Sequence, residues 1–184
     1  MIHYIGDISK TDALVLKELA EKSKKILEFG CGASTQVLSE YTTGVLISID
    51  TSTDWIDKTK SNINILEIKN IPTFEFYDSF IPDCNFDLIF DDGVDHLRKD
   101  FAITMWKYLQ IGGYMAFHDT RRWHDQKNVV DVIHQYFNQI ESVKCNYKSS
   151  NITILKKKNT EDYNDWNIAE GREQWEIGYG EPQL

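Results

Sequence analysis

The chain has 184 residues, 41% of them hydrophobic and 12% aromatic, which suits one globular domain and excludes a disordered chain. A net charge of -9 and a pI near 5.0 weigh against a nucleic-acid partner, and the run Lys156, Lys157, Lys158 reads as a solvated strand end. No apolar run reaches membrane-spanning length, Met1–Asp12 lacks a signal-like core, and Cys31, Cys84 and Cys145 form no disulfide framework or CxxC pair; the expectation is a cytoplasmic, reducing setting without membrane contact.

Strand and helix signals alternate along the chain. Ser9 is placed to cap a helix through Leu14–Glu21, with Asp12 near its positive end. Lys25–Phe29 is a short apolar run closed by Gly30, a first buried strand, and Ser34–Tyr41 reads as a helix. Val45–Ile49 is a second strand ending at Asp50, and Thr51 or Thr53 can cap a helix through about Lys60. Pro72 divides the β-branched stretch Ile63–Tyr77, and Thr73–Tyr77 is the favoured third strand. Phe86–Phe90 is a fourth. A helix from about His96 to Leu109 would show Phe101, Met105 and Leu109 on one face and stop at Gly112-Gly113. Tyr114–Phe117 is a fifth strand and Asn128–Ile140 a helix. Ser142–Tyr147 and Ile152–Lys156 read as strands joined by a turn at Lys148–Asn151.

This alternation specifies an α/β fold. It is a Rossmann-like, doubly wound, mostly parallel sheet with a C-terminal antiparallel hairpin strand, spanning residues 1–158. Residues 159–184 form an acidic tail carrying Tyr163, Trp166, Trp175 and Tyr179, with Arg172 its only base. So aromatic a tail is expected to pack on its own domain; the alternatives are a homodimer contact or a lid.

Ligands of such sheets sit beyond the carboxyl ends of the strands. There the segment Glu28-Phe29-Gly30-Cys31-Gly32 leaves a strand and opens a helix. Gly30 allows a tight turn, and Gly32 lets the backbone approach a ligand. Asp50 ends the next strand, followed by Thr51, eighteen residues after Gly32. A carboxylate there can accept from both hydroxyls of a ribose. Thr35 stands where the dinucleotide fingerprint needs a small residue, and no GKS or GKT marks a P-loop.

The segment resembles motif I of class I S-adenosylmethionine methyltransferases. A second pair of segments, Asp91-Asp92-Gly93-Val94-Asp95-His96 and Gly112-Gly113 through His118-Asp119-Thr120, resembles the DGDH and HDT motifs of the branch that includes sugar and secondary-metabolite O-methyltransferases. The chain departs by one extra residue before Asp95-His96 and by Asp91 where the pattern is apolar. The resemblance implies S-adenosylmethionine held by Glu28 at the methionine amino group, by Gly30, Cys31 and Gly32, by Asp50 and Thr51 at the ribose, and by Asp78 and Ser79 at the adenine. It implies Mg²⁺ between Asp92 and Asp119, and Asp92, His96 or His118 taking the proton of a small hydroxylated acceptor. The alternatives are a nucleic-acid methyltransferase, whose NPPY-like motif is missing, a non-catalytic cofactor-binding or scaffold protein, and, more weakly, an NAD-dependent dehydrogenase.

Overall fold

The apolar runs become strands of one sheet in the computed structural model, which describes residues 4–66, 68–145 and 150–158. The strands are β1 (Lys25–Phe29), β2 (Val45–Asp50), β3 (Thr73–Phe76), β4 (Phe86–Asp91), β5 (Leu109–Phe117), β6 (Ile140–Cys145) and β7 (Thr153–Lys157). Their order in space is β3-β2-β1-β4-β5-β7-β6. The first five run parallel, and β7 lies antiparallel to both β5 and β6. The order reverses between β1 and β4, the switch point at which such sheets open a crevice.

Strand alternation assigns the two faces. Ile26, Leu46, Leu88, Phe90 and Ala116 pack with helices α1 (Lys10–Lys22) and α2 (Ala33–Tyr41) through Leu16, Leu19, Val37 and Leu38. Leu27, Phe29, Ile49, Ile89, Met115 and Phe117 face α4 (Asp95–Met105) and α5 (Trp123–Tyr136) through Phe101, Met105, Val129, Val132 and Ile133. No helix among the described residues is long and apolar enough to cross a membrane.

Several boundaries differ from the sequence reading, each for a local reason. Helix α3 (Thr53–Ile65) is capped by Ser52, whose hydroxyl accepts from the Trp55 amide, rather than by Thr51 or Thr53. It runs past Lys60 because Ile56, Thr59 and Ile63 continue one buried stripe. Helix α4 stops at Met105, and Leu109 begins β5 after one 3-10 turn. Gly112 and Gly113 therefore lie inside a strand: the register jumps from Phe86↔Leu109 to Leu88↔Tyr114, and Gly112, at φ 77°, absorbs the irregularity. Helix α5 starts a turn early, after Arg122, where no conventional capping residue stands. β6 begins at Ile140, not Ser142. Tyr147, Lys148 and Ser149 of the expected turn region and the tail 159–184 lie outside the described residues.

The glycine of the first loop is fixed by a backbone crossing. Gly30 has φ 91°, and a Cβ there would stand 2.2 Å from the Asp92 carbonyl oxygen. Gly30→Ala is expected to cost about 2–4 kcal/mol, because neither strain nor clash can relax without moving β4. Urea denaturation would measure it, and an unchanged midpoint would show that the loop after β4 shifts freely.

Candidate active site

The main-chain ladder continues one rung past the parallel strands. Gly30 N–H donates to Ile49 O at 2.8 Å, Asp92 N–H to Phe29 O at 2.8 Å, and His118 N–H to Asp91 O at 3.0 Å. Gly30, Asp92 and His118 are thus set side by side at the carboxyl ends of β1, β4 and β5.

A cavity of about 420 Å³ opens at the switch point. Its wall includes Gly30, Cys31, Gly32, Asp50, Thr51, Trp55 and Asp92, closed on one side by the N-terminal Ile5–Ile8. Asp50 is fastened in place. Its Oδ2 accepts from the Cys31 amide at 2.9 Å and its Oδ1 from the Ser52 amide at 2.8 Å. Burial, reinforced by Asp50 and Glu28, pushes the Cys31 thiol up, so it stays protonated and is no nucleophile.

Glu28 is not on this wall. Its neighbours Leu27 and Phe29 face α4 and α5, so alternation sends Glu28 to the other side, beneath the first turn of α2, where it is fully buried. Its Oε2 accepts from Thr35 Oγ1 at 2.7 Å and Ser48 Oγ at 2.6 Å, and Thr35 Oγ1 accepts from the Gly32 amide at 2.8 Å. Burial pushes the Glu28 carboxyl up to about 7 against the hydroxyls of Ser34, Ser48 and Thr35. Glu28 therefore supports the glycine loop from behind through Oε2, while its buried Oε1 has no hydrogen bond of normal geometry.

A second cavity, of about 490 Å³, adjoins the first and shares Asp7 and Asp92 with it. His118, Asp119, Arg121, Arg122 and Asn151 line it, with Asp12 at its base. Asp92 Oδ1 lies 3.1 Å from both His118 Nδ1 and Arg98 Nη2. Asp119 adopts a left-handed backbone, φ 60°, and its Oδ1 accepts from Asn151 Nδ2 at 3.0 Å. Asn151 also takes the Arg121 amide, which locks the loop after β5 onto the start of β7.

His118 is buried, which by itself would favour the neutral ring. The Asp12 carboxylate, 3.6 Å from Nε2, the bond to Asp92 and the charge of Asp119 outweigh burial and lift it to about 10. At neutral pH it is an imidazolium, a donor rather than a base. Asp12 is held well below the usual carboxylate range: burial opposes this, but His118, Ser9, the Asn151 amide and Ser150 all stabilise its charge. Asp91 lines neither cavity and has no hydrogen bond of normal geometry to either carboxyl oxygen; burial raises it well above the ordinary range. Asp92, not Asp91, is the acid the loop delivers.

The Asp92–Asp119 pair does not fit a divalent ion. Arg98 Nη2 lies 3.1 Å from Asp92 Oδ1 and 3.6 Å from Asp119 Oδ2, and Arg122 Nη2 lies 2.6 Å from the same Asp119 oxygen. Mg²⁺ needs oxygen ligands at about 2.0–2.1 Å. Each unit of added charge about 4 Å from a resident cation costs about 4 kcal/mol near a protein surface. Donors engage Asp92 Oδ1 and both Asp119 oxygens, which counts against the expected Mg²⁺, although Asp92, His118 and Asp119 lie close enough together to hold an ion and Asp92 Oδ2 is left open.

Three further expected residues stay away from both cavities. His96 is exposed on the first turn of α4. Asp78 and Ser79 are exposed in a 3-10 turn after the short edge strand β3, and the Ser79 hydroxyl bonds only to Phe76 O. Arg98, Asn151 and Trp55 were missed. Of these only Arg98 carried a signal, its i,i+3 spacing from Asp95. Asp12 was read as a helix-end charge, yet it receives Ser150 Oγ and the Asn151 amide from the far end of the chain.

The strand order, with its cavity at the reversal, defines the Rossmann-like methyltransferase fold. Three solved structures share it. The O-methyltransferase from Bacillus cereus in complex with SAH is 19% identical, with 83% of each chain covered and a TM-score of 0.65. The O-methyltransferase TomG from Streptomyces achromogenes, in complex with SAM, is 14% identical over 83% of this chain and 82% of that one, at a TM-score of 0.66. The SAH-bound Podospora anserina methyltransferase PaMTH1 is 15% identical over 83% and 80%, at 0.69. No family model matches the chain, and no curated protein matches it in sequence.

The His118 environment predicts a pH dependence of stability. With the folded value near 10 and the ordinary value at 6.5, its contribution is complete below pH 6.5 and lost as pH rises through 10. Its size is on the order of a few kcal/mol. Urea midpoints from pH 6 to 10 should fall for the wild type and flatten in His118→Gln. Parallel curves would remove His118 from the account.

Proposed function

We propose that the protein is an S-adenosylmethionine-dependent methyltransferase acting on a hydroxyl of a small polar acceptor. The carrying observation is the charge of the switch-point cavity. Asp7, Asp50 and Asp92 line it, and no Lys or Arg does among the described residues. A dinucleotide would bring a pyrophosphate into that acidic wall, whereas S-adenosylmethionine brings an ammonium and a sulfonium. The neighbours solved with SAM or SAH support the same reading. When bound, the cofactor supplies a methyl group already activated on sulfur.

The residues around it then have definite tasks. Asp50, anchored by two amides, accepts from the ribose hydroxyls, and Trp55 offers a flat apolar surface to the adenine. The acceptor occupies the second cavity, whose polar wall suits a hydroxyl-rich molecule such as a sugar. Asp92 faces both cavities. Its Oδ1 is engaged by Arg98 and His118, so Oδ2 is left to take the acceptor's proton. His118, through its Nδ1, holds Asp92 in orientation. A cytoplasmic setting accords with the three free cysteines.

Calorimetry with S-adenosylmethionine should show binding that Asp50→Ala weakens about tenfold or more, the loss of a charge-assisted acceptor. Asp92→Asn should keep cofactor affinity within a few-fold and lower turnover by about 10²–10⁴ over a panel of polyhydroxylated acceptors. NADH bound in preference to S-adenosylmethionine would overturn the reading. Tight cofactor binding without turnover on any acceptor would indicate a non-catalytic binding protein.

A further inference from the structure

We propose that the buried guanidinium of Arg98, with the His118 ring beside it, stands in for a divalent cation at the acceptor cavity, and that the protein neither binds nor needs such an ion there. The activity part of this inference rests on the methyltransferase reading; the ion-binding part does not.

Two carboxylates at the ends of adjacent parallel strands, Asp92 after β4 and Asp119 after β5, would repel one another unless a cation lay between them. The Arg98 guanidinium does, with the His118 ring beside it. His118 Nδ1 is 3.1 Å from Asp92 Oδ1 and 3.5 Å from Asp119 Oδ1. Arg98 Nη2 is 3.1 Å from Asp92 Oδ1 and 3.6 Å from Asp119 Oδ2. The remaining approaches to Asp119 are taken by Arg122 and by the Asn151 side-chain amide.

Arg98 is only 6% exposed, and its placement is specific. Its Nε donates to Gly93 O at 2.6 Å, and its Nη1 to His118 O and Asp125 Oδ1, both at 3.3 Å. One planar fork thus ties the loop after β4, the loop after β5 and the first turn of α5. A resident metal would hold the same loops by coordinating their acids; here the tie is covalent to α4 and cannot be chelated away. An entering ion would have to strip Asp92 and Asp119 from these donors while facing the buried charge of Arg98. Arg98 is in this sense a positioning residue for Asp92.

The probe is Mn²⁺ alone, added to the full-length protein and followed by electron paramagnetic resonance and calorimetry. The wild type should bind none at this site up to millimolar concentration, and turnover in EDTA should stay within twofold after Mg²⁺ is restored. Stoichiometric Mn²⁺ uptake at micromolar concentration, or activity lost in EDTA and recovered with Mg²⁺, would overturn the proposal. Arg98→Gln, folded by circular dichroism, should gain Mn²⁺ affinity at least tenfold, a change that loss of a merely structural contact would not produce; a folded variant without that gain would also overturn it. If Arg98→Gln does not fold, the wild-type titration decides. Calorimetry with S-adenosylmethionine in EDTA separates this outcome from failure of the methyltransferase reading, since that reading fails there whatever Mn²⁺ does.

Discussion

Past the end of β4 the Asp92 amide still bonds to Phe29, and past the end of β5 the His118 amide still bonds to Asp91. These two rungs hold the loops in the parallel register of the strands, so residues distant in sequence arrive as neighbours. The rungs require the chain after β4 to pass close over the first glycine loop. Only a residue without Cβ fits at Gly30, and at Gly93 an added Cβ would strike the Phe29 ring. Both glycines therefore serve the crossing of two backbones, and the cavity is the space that the crossing leaves.

Within this frame the electrostatics divide into two regions with different logic. The switch-point cavity is lined by acids without bases among the described residues, a wall suited to a cationic ligand. The adjoining cavity interleaves acids with buried bases. Arg98 alone reaches Asp92, Asp95, Asp119 and Asp125. Burying such charges is unfavourable unless each is paired, and the pairing here joins four loops and helix ends. Asp92 belongs to both regions. One of its oxygens is engaged by the ionic network through Arg98 and His118.

Side chains at the helix ends follow the same frame. His96 is exposed on the first turn of α4, and Asp95 meets Arg122 and His124. Thr35, which replaces the small residue of a dinucleotide fingerprint, is not a neutral change: its hydroxyl links the Gly32 amide to the buried Glu28.

The sequence alone determined what depends on local period and local chemistry. Apolar runs bounded by glycine and aspartate marked β1, β2 and β4 almost to the residue, and the glycine loop with Asp50 placed the cavity, because those signals act over a few residues of chain. The motif acids Asp92 and Asp119 were legible as well. Which side Glu28 faces, whether His118 takes or gives a proton, and what lies between Asp92 and Asp119 were decided only in three dimensions. Asp12 reaches His118 and Asn151, and Arg98 reaches the ends of two strands, because parallel pairing and helix packing bring those loop ends together. A charge takes its protonation state from its neighbours in space, and a single sequence lists only its neighbours along the chain.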